Sequence, residues 1–530
     1  MNILLVYPNL PLMMAPAMSI AIFNAICKQA GCNVKVFETT MYSKDYDNRH
    51  IRMSEVGASR QNKKEEIKDF FFIKPPESIV PDFLSVVDSF KPDVMLYSVQ
   101  EDTWKTATIL IDAVADRNIP HLIGGVFPTA APDVVISYPN VKAIALHEGE
   151  NVVRDIIRTG KIIDARGVWY KDDHGKIVKN PPQPLCDVTD VIPDYSCFSD
   201  IRWNRPMGGR IFSRAVSMET YRGCPYNCTY CNSPNTRDAS TRLGIGNFMR
   251  RKPAKIVERD LLYYIDKINP DLIMFQDDSF LARPEKEIME FCEMWSKHKI
   301  PFWFNTRIEN CKPKYLDALK HAGVYRMSFG LESGNEEYRR NMLKRNVSNK
   351  TYEEYFQYIN ESNIPYSLNV IIGMPFETRQ LVMDTAKLVN TAGGYDGLTI
   401  AMFQPYWGTH LRKVCVDNEF IAHDYISGFN EKTNIGGFLD SWHLKMPEPY
   451  LQEEEVYRLL RTFSLYAFHG QEMWDTIFES ETNDDLYNEL MTEYRQKFFT
   501  PLQGGGSERI KRFCAMHDPS STYHFEEAND

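Results

Sequence analysis

Apolar and polar positions alternate in blocks along the first 165 residues, where short apolar runs are separated by stretches with helical periodicity. The runs with the length of buried strands are residues 2–7, 34–37, 92–98, 121–124 and 141–146. The stretches with helical periodicity are residues 18–30, 79–90 and 104–116, with a further helix expected near Val152. Strands that alternate with helices predict a doubly wound parallel sheet of the Rossmann-like class, which binds ligands beyond the carboxyl ends of its strands.

The same alternation returns between residues 211 and 412. The predicted strands are residues 213–219, 271–275, 302–305, 325–330, 366–372 and 398–403. The predicted helices between them are residues 256–268, 286–298, 314–321, 352–361 and 378–391. Six such units predict an open, partial (β/α)6 barrel. Barrel enzymes carry their chemistry at the C-terminal ends of the strands, so polar residues that follow these strands are the candidates for a site.

Two further segments complete the predicted domain organisation. Residues 166–210 are rich in proline and are expected to form an extended linker between the sheet domain, 1–165, and the barrel, 211–412. The remainder, 413–530, is mainly amphipathic and predicts a small helical C-terminal domain.

Composition and charge narrow the class of protein. A chain of 530 residues with 43% hydrophobic and 25% charged residues is expected to fold into two to four globular domains. The net charge of −10 argues against a nucleic-acid partner, because such binding depends on Lys and Arg contacts with phosphates. The apolar runs are too short to span a bilayer, and residues 1–6 lack the basic segment of a signal peptide. We therefore expect a cytoplasmic protein.

Three cysteines provide the strongest chemical signal. Cys224, Cys228 and Cys231 form a Cys-x3-Cys-x2-Cys triplet on a short segment. Thiolates at such spacing hold iron–sulfur clusters, and three ligands to a four-iron cluster leave one iron open for another ligand. The alternatives are a zinc site, which usually needs a fourth Cys or His at motif spacing, and a disulfide, which needs an oxidising compartment. Neither alternative fits the chain as well as a cluster does.

Polar residues follow the predicted barrel strands. Asp277 and Asp278 are neighbours, so only one of them is expected to face the barrel interior. Glu332 ends an apolar strand, and a carboxylate at that depth needs a partner, either a ligand group or Arg307. Arg307 is itself suited to clamp a carboxylate, although a plain salt bridge would explain it equally well. Asp278 has a simpler explanation too, as the cap of a turn.

The cysteine segment resembles the signature of the radical S-adenosylmethionine (radical SAM) superfamily. The resemblance rests on the triplet, on Tyr230 before its last cysteine, and on Arg222-Gly223 ahead of it. It implies a [4Fe-4S] cluster whose open iron binds S-adenosylmethionine, with release of a 5′-deoxyadenosyl radical. It also implies S-adenosylmethionine-binding roles for Tyr230, Gln276, Asp277, Asp278, Arg307, Ser328 and Glu332.

A second resemblance covers the first domain. The segments Gly124–Thr129 and His147–Glu150 are similar to those of the cobalamin-binding domain that precedes some radical SAM barrels. By themselves the paired glycines indicate only a tight turn. The resemblance implies cobalamin contacts from Pro8, Gln100, Trp104, Gly124, Gly125, Phe127, Thr129, Glu148 and Gly149. Trp104 could equally pack at a helix start. The chain lacks an Asp-x-His-x-x-Gly motif, which suggests that no histidine binds the cobalt.

The function that these resemblances imply is a cobalamin-dependent radical SAM methyltransferase acting on carbon. Tyr406 and Trp407 follow the last predicted strand and are expected to border the substrate pocket. The partners implied are a small-molecule or peptide substrate and an electron donor such as flavodoxin or ferredoxin. A cyclase or rearrangement enzyme with the same cofactors, and a non-catalytic cobalamin sensor, are the alternatives. The sequence assigns no catalytic acid, base or nucleophile.

Overall fold

Two sheets organise the chain, and each is built mainly from parallel strands. The computed structural model describes residues 1–44, 72–207, 210–430, 435–436 and 442–499. The end of the predicted C-terminal domain, beyond residue 499, lies outside the described residues. None of the helices in the described ranges is long and apolar enough to cross a membrane.

The first sheet has seven strands in the order β2-β1-β3-β4-β5-β6-β7. Its strands are β1 Asn2–Tyr7, β2 Asn33–Glu38, β3 Val94–Ser98, β4 His121–Gly124, β5 Ala143–Ala145, β6 Val168–Lys171 and β7 Ile177–Lys179. The helices around it are Met18–Gln29, Ile79–Phe90, Trp104–Asp112, Val126–Ala130, Pro132–Ser137 and Glu150–Thr159. Helices cover both faces, which is why the central strands are continuous apolar runs. Along β1, Ile3 and Leu5 enter one core, and Leu4 and Val6 enter the other.

The first sheet extends past residue 165, where the sequence pattern placed the start of the linker. Strands β6 and β7 form an antiparallel hairpin that pairs with β5. Both strands are short, with four and three residues, and the proline-rich composition of residues 166–210 favoured a linker over a strand at Val168–Lys171. The segment after them remains attached to the first domain through Arg202. Its buried guanidinium donates to the Met14 carbonyl at 3.1 Å and pairs with Glu38 at 2.6 Å.

The second sheet has six strands, all parallel, in the order β10-β13-β14-β15-β16-β17. Its strands are β10 Ala215–Met218, β13 Leu272–Phe275, β14 Phe302–Thr306, β15 Val324–Glu332, β16 Tyr366–Ile372 and β17 Gly397–Met402. Its helices are Ser233–Leu243, Ala254–Lys267, Glu285–Ser296, Pro313–Ala322, Glu336–Asn341, Asn349–Ser362, Arg379–Ala392 and His410–Asp417. The predicted fold class, a doubly wound sheet followed by a partial (β/α)6 barrel, is confirmed.

Three short antiparallel ribbons and a helical region complete the described structure. The ribbons pair β8 Arg205–Met207 with β9 Arg210–Phe212, β11 Tyr221–Arg222 with β12 Arg250–Arg251, and β18 Phe429–Asn430 with β19 Ile435–Gly436. The C-terminal helices are Glu453–Phe468, Trp474–Ser480 and Asp484–Phe499. This region packs against the barrel, since Trp442 is buried and its Nε1 donates to the Gly373 carbonyl at 2.6 Å.

Candidate cluster and cofactor site

The three cysteines lie on the loop between β11 and the helix Ser233–Leu243, at the C-terminal end of β10. All three are half-buried free thiols. The backbone amide of Cys231 donates to the Cys228 carbonyl at 3.2 Å, which folds the loop back on itself. Burial raises the pKa of Cys224 to about 11 and that of Cys231 to about 12. A metal that binds here must therefore displace thiol protons.

A glycine and an arginine fix the shape of the cysteine loop. Gly223 has φ +99°, and a Cβ there would lie 2.7 Å from the Phe248 carbonyl oxygen, so only glycine fits. Arg237, on the helix after the loop, donates to three successive carbonyls, at 3.3 Å from Cys224, 2.9 Å from Pro225 and 3.3 Å from Tyr226. One planar guanidinium thus holds the backbone between the first two cysteines. This contact gave no sequence signal, because a lone Arg on a polar helix resembles a surface residue.

The two neighbouring aspartates have different surroundings. Asp277 is buried, and its carboxylate accepts from the Thr220 amide at 2.7 Å and pairs with Arg283 at 2.6 Å. Both of its oxygens are therefore used to anchor the segment that leads into the cysteine loop. Asp278 is exposed, and its carboxylate lies 3.5 Å from Oγ of Ser233, the first residue of the helix after the loop. Desolvation by the surrounding protein and the nearby Asp277 charge raise the pKa of Asp278 to about 6.

Glu332 pairs with Arg345 and Tyr230. Its carboxylate accepts from the Tyr230 hydroxyl and from Arg345 Nη1, both at 3.0 Å, and Arg345 Nη2 donates to the Gly330 carbonyl at 2.6 Å. Burial raises the pKa of Glu332, while Arg345 and Tyr230 oppose that shift. Glu332 also has φ +67°, a left-handed conformation that is rare outside glycine. Strained backbone of this kind is concentrated at functional sites.

Of the two partners considered for Glu332, a ligand group or Arg307, Arg307 pairs with another carboxylate instead. Arg307 forms its ion pair with Glu309, at 2.6 Å, and its guanidinium lies 3.9 Å from the centre of the Tyr226 ring. Sequence reasoning missed Arg345, because it lies in the polar segment Lys344-Arg345-Asn346 with no periodic pattern to mark it as buried.

Ser328 and Gln276 belong to a row of polar side chains on the barrel strands. Ser328 Oγ accepts from Ser367 Oγ and from Asn369 Nδ2, both at 3.1 Å. Gln276 Nε2 donates to Ser217 Oγ at 3.1 Å. These hydrogen bonds join side chains of neighbouring strands of the barrel sheet.

At the C-terminal edge of the first sheet, two turns are bonded to each other. Gly125 has φ +117°, and a Cβ there would lie 2.4 Å from the Val99 carbonyl oxygen, so the close backbone approach requires glycine. The Thr129 hydroxyl donates to the Gly125 carbonyl at 2.9 Å and accepts from the His147 amide at 2.9 Å. Within the described residues, the buried Nδ1 of His147 has no hydrogen-bond partner. Unsatisfied polar groups at such an edge fit a polar ligand.

Several residues assigned to cobalamin by resemblance belong to the core or to turns. Trp104 is buried and packs edge-on against Phe127, with ring centres 5.5 Å apart. Pro8 is also buried. Gly149 allows a close approach, since a Cβ there would lie 2.6 Å from the Phe23 ring. By contrast, the assigned residues at the C-terminal edge of the sheet are Gln100, Gly124 at the end of β4, Gly125, and Thr129 in the short helix that follows.

Glu148 is held by arginines of the barrel side. It accepts from Arg250 Nη1 at 2.8 Å and lies 3.2 Å from Arg222 Nη1. Burial alone would raise the pKa of Glu148, but the two guanidinium groups outweigh it and lower the value to about 2. Glu148 is therefore ionised and already paired.

Tyr406 and Trp407 contact the first domain. The Tyr406 hydroxyl donates to Asp102 at 2.7 Å, and the Trp407 amide donates to Glu101 at 2.8 Å. Glu101 also accepts from the Ser427 amide at 2.8 Å. Burial raises the pKa of Glu101 to about 7 and that of Asp102 to about 6. These contacts join the loop after β3 to the loop after β17.

The chain has relatives of known family. Residues 218–389 match the model of the radical SAM superfamily. An uncharacterized methyltransferase of Pyrococcus horikoshii is 25% identical over 356 residues, which cover 64% of this chain and 73% of that protein. The cytidylyl-2-hydroxyethylphosphonate methyltransferase of Streptomyces wedmorensis is 22% identical over 386 residues, which cover 64% of this chain and 70% of that protein.

Solved structures share the fold. The methyltransferase TsrM of Kitasatospora setae, with cobalamin and a [4Fe-4S] cluster bound, matches with a TM-score of 0.59 and 12% identity over 93% of this chain and 99% of that chain. OxsB, with aqua-cobalamin and S-adenosylmethionine bound, matches with a TM-score of 0.59 and 15% identity over 97% of this chain and 75% of that chain. At these identities the likeness concerns the fold alone.

Proposed function

We propose that this chain, which matches the radical SAM superfamily model over residues 218–389 and shares the fold of TsrM and OxsB, is a radical SAM methyltransferase that uses cobalamin to methylate carbon. The observation that carries the proposal is the position of the three free cysteines. They lie on a preformed loop at the C-terminal end of the barrel, and the strand-end turns of the first sheet are bonded to the same region.

The donor set fits a [4Fe-4S] cluster. Cys224, Cys228 and Cys231 are half-buried thiols that Arg237 and Gly223 hold in one loop conformation. Three thiolates leave one iron for S-adenosylmethionine. When bound, the cluster and S-adenosylmethionine supply a 5′-deoxyadenosyl radical, and cobalamin supplies the methyl group. The protein supplies position, electrostatics and exclusion of water.

The residues proposed to bind S-adenosylmethionine divide into two groups. Those proposed to contact the ligand directly are Tyr230, Gln276, Asp278, Ser328 and Glu332, with Arg345 added as the partner of Glu332. Asp278 can accept from an ammonium group, because its carboxylate has no ion pair in the described structure. Asp277 and Arg307 are proposed to act indirectly, since Arg283 and Glu309 already pair with them.

Cobalamin is proposed to lie across the edge of the first sheet. Gln100 and Thr129 flank the paired glycines Gly124 and Gly125 there, and backbone without a Cβ suits the approach of a large flat ligand. Trp104, Phe127 and Pro8 would support this edge from the core. Tyr406 and Trp407 would border the substrate, a small molecule or a peptide, where the two domains meet. An electron donor of the flavodoxin or ferredoxin type and a cytoplasmic location complete the proposal.

The test is an anaerobic assay of the reconstituted protein with S-adenosylmethionine, hydroxocobalamin, a reductant and candidate substrates. Formation of 5′-deoxyadenosine together with a product heavier by one CH2 supports the proposal. A product without that added mass identifies the cyclase or rearrangement alternative. If the loaded protein forms no 5′-deoxyadenosine, the enzyme proposal fails and the sensor alternative replaces it.

A further inference from the structure

A group of five charged side chains joins the first sheet to the start of the cysteine loop. We call it the interdomain ionic cluster, and its members are Glu148 and Glu150 from the first domain and Glu219, Arg222 and Arg250 from the barrel side. Arg222 is its centre. Arg222 Nη1 donates to Glu150 at 2.8 Å, and its Nε donates to Glu219 at 2.9 Å.

The second arginine strengthens the same connection. Arg250, on the strand paired with Arg222, binds both oxygens of Glu148 and donates to the Cys186 carbonyl at 2.6 Å. Glu148 Oε2 also accepts from the Cys186 amide at 2.9 Å. All five side chains are largely removed from solvent, with side-chain exposures between 7% and 21%. Removal of one partner from such a group leaves an uncompensated charge and is strongly destabilising.

A metal ion is a poorer explanation of this group of carboxylates. Donor atoms of Glu148, Glu150 and Cys186 do lie within 4.8 Å of one another. However, Arg222 Nη1 lies 2.8 Å from Glu150 and 3.4 Å from Cys186 Sγ, so a guanidinium already occupies the space that a cation would need. The arrangement is an ion-pair network between two domains.

The position of the network in the chain suggests what it does. Arg222 is two residues before Cys224, so a shift of Arg222 moves the first cysteine of the loop. Glu148 and Glu150 flank Gly149 in the turn after β5, at the edge where cobalamin is proposed to lie. The amide of His147, in the same turn, is bonded to Thr129 of the other proposed cobalamin turn. A contiguous set of ion pairs and hydrogen bonds therefore connects the two proposed cofactor sites.

We propose that Arg222 is a positioning residue that couples occupancy of the cobalamin site to occupancy of the cluster site. The inference rests on the proposed function, since it needs both cofactors. A cluster on the cysteine loop fixes Arg222, and Arg222 in turn fixes the Glu148–Glu150 turn against which cobalamin binds. Coupling between two binding equilibria is reciprocal, so each cofactor tightens the binding of the other by the same factor.

The experiment compares the dissociation constant of hydroxocobalamin for two forms of the full-length protein, with the cluster reconstituted and without it. Both titrations follow the corrin absorbance under anaerobic conditions. In the wild type we expect the cluster to tighten binding by about 5- to 150-fold, the usual range of such coupling. In Arg222→Gln we expect the ratio of the two constants to fall close to one. The control Arg154→Gln removes an ion pair between Arg154 and Asp190 outside the network and retains the wild-type ratio.

Glu150→Gln tests the same bond from the other side. Glu150 pairs with Arg222 and lies in the first domain, so this substitution leaves the cysteine loop itself unchanged. If Arg222→Gln takes up no cluster, its ratio of dissociation constants has no meaning, and Glu150→Gln then provides the test of the coupling. We expect Glu150→Gln to bind iron normally and to show a reduced ratio of dissociation constants. In the reciprocal measurement, the iron that the protein retains at equilibrium against a competing chelator should rise when hydroxocobalamin is added to the wild type and not when it is added to Glu150→Gln.

The outcomes separate this inference from the proposed function. If the wild type binds hydroxocobalamin equally tightly with and without the cluster, or if Glu150→Gln retains the full ratio, the coupling is refuted while the function stands. If the wild type binds no hydroxocobalamin in either form, the proposed cobalamin dependence fails and the coupling fails with it.

Discussion

The cysteine loop and the edge of the first sheet carry their candidate chemistry in different ways. In the loop, the groups proposed to react are side chains, and three free thiols are held in place by contacts from Arg237 and Gly223. At the sheet edge, the candidate feature is the backbone turn at Gly125, and Trp104 and Phe127 beside it are packed into the core. A site made of reactive side chains is visible in a sequence, whereas a site made of exposed backbone leaves only glycines as its signal.

The largest effect is expected from the removal of one cysteine from the loop, where the candidate site is made of side chains. In Cys228→Ala we expect loss of the cluster, because two thiolates cannot replace three, and loss of 5′-deoxyadenosine formation with it. Iron analysis and the brown absorbance of the reconstituted protein measure this. Cys32→Ser, at a half-buried cysteine outside the loop, is the matched control and should retain full iron. Full iron in Cys228→Ala would place the ligands elsewhere.

Gly125→Ala tests the backbone turn at the edge of the first sheet. The substitution imposes φ +117° on a residue with a Cβ, at a cost of about 1–3 kcal/mol, and the clash with the Val99 carbonyl adds a similar amount. The control is Gly124→Ala, whose Cβ would lie 3.6 Å from the nearest backbone oxygen. Urea unfolding should show a large loss of stability in Gly125→Ala and a small one in Gly124→Ala, and hydroxocobalamin titration should show weakened binding in Gly125→Ala. Equal losses would contradict a role for the left-handed turn.

The contact between the two domains should respond to pH through Glu101. Its pKa is raised from 4.5 to about 7 by burial, so its stabilising effect is complete below pH 4.5 and is lost as the pH rises through 7. The shift corresponds to a decrease in the free energy of unfolding on the order of 3 kcal/mol across that window. In Glu101→Gln the free energy of unfolding, measured with urea at several pH values, should fall less steeply. Glu77→Gln, at an exposed carboxylate, should retain the wild-type slope.

The smallest effect is expected from Arg237→Lys, which tests the hydrogen bonds that hold the cysteine loop. Arg237→Lys keeps the positive charge but cannot span three carbonyls, because an ammonium is a single point donor. Iron transfer to a chelator should accelerate roughly tenfold, since one hydrogen bond to a charged group is worth about 1.5 kcal/mol. Arg242→Lys, on the same helix and exposed, serves as the control. An unchanged transfer rate would show that the loop holds its shape without Arg237.

Much of the fold could be predicted from the sequence. The barrel strands lie within a few residues of the apolar runs, and Tyr366–Ile372 coincides with its prediction, because buried parallel strands are nearly continuous apolar segments. Strands β6 and β7 escaped prediction because they are short and lie in a proline-rich segment.

The candidate site was predicted less evenly than the fold. The cysteine triplet is a local pattern, and its spacing alone identified it. The arginines that support the site, Arg222, Arg237 and Arg345, became visible only once distant segments were brought together. Their partners lie 72, 13 and 13 residues away, in Glu150, Cys224 and Glu332. No periodic signal links such positions, so a buried arginine and a surface arginine look alike in the sequence.

The hairpin at the end of the first sheet has a consequence for the protein in crowded solution. A sheet that stopped at β5, whose residues are all apolar, would expose unpaired amides and carbonyls on which strands of other molecules could add. Instead this side of the sheet ends in β7, which carries Lys179, and the Lys179 amine lies 3.5 Å from the centre of the Trp169 ring. A short, charged terminal strand resists edge-to-edge association. We therefore expect the two strands that sequence analysis overlooked to limit association at this edge.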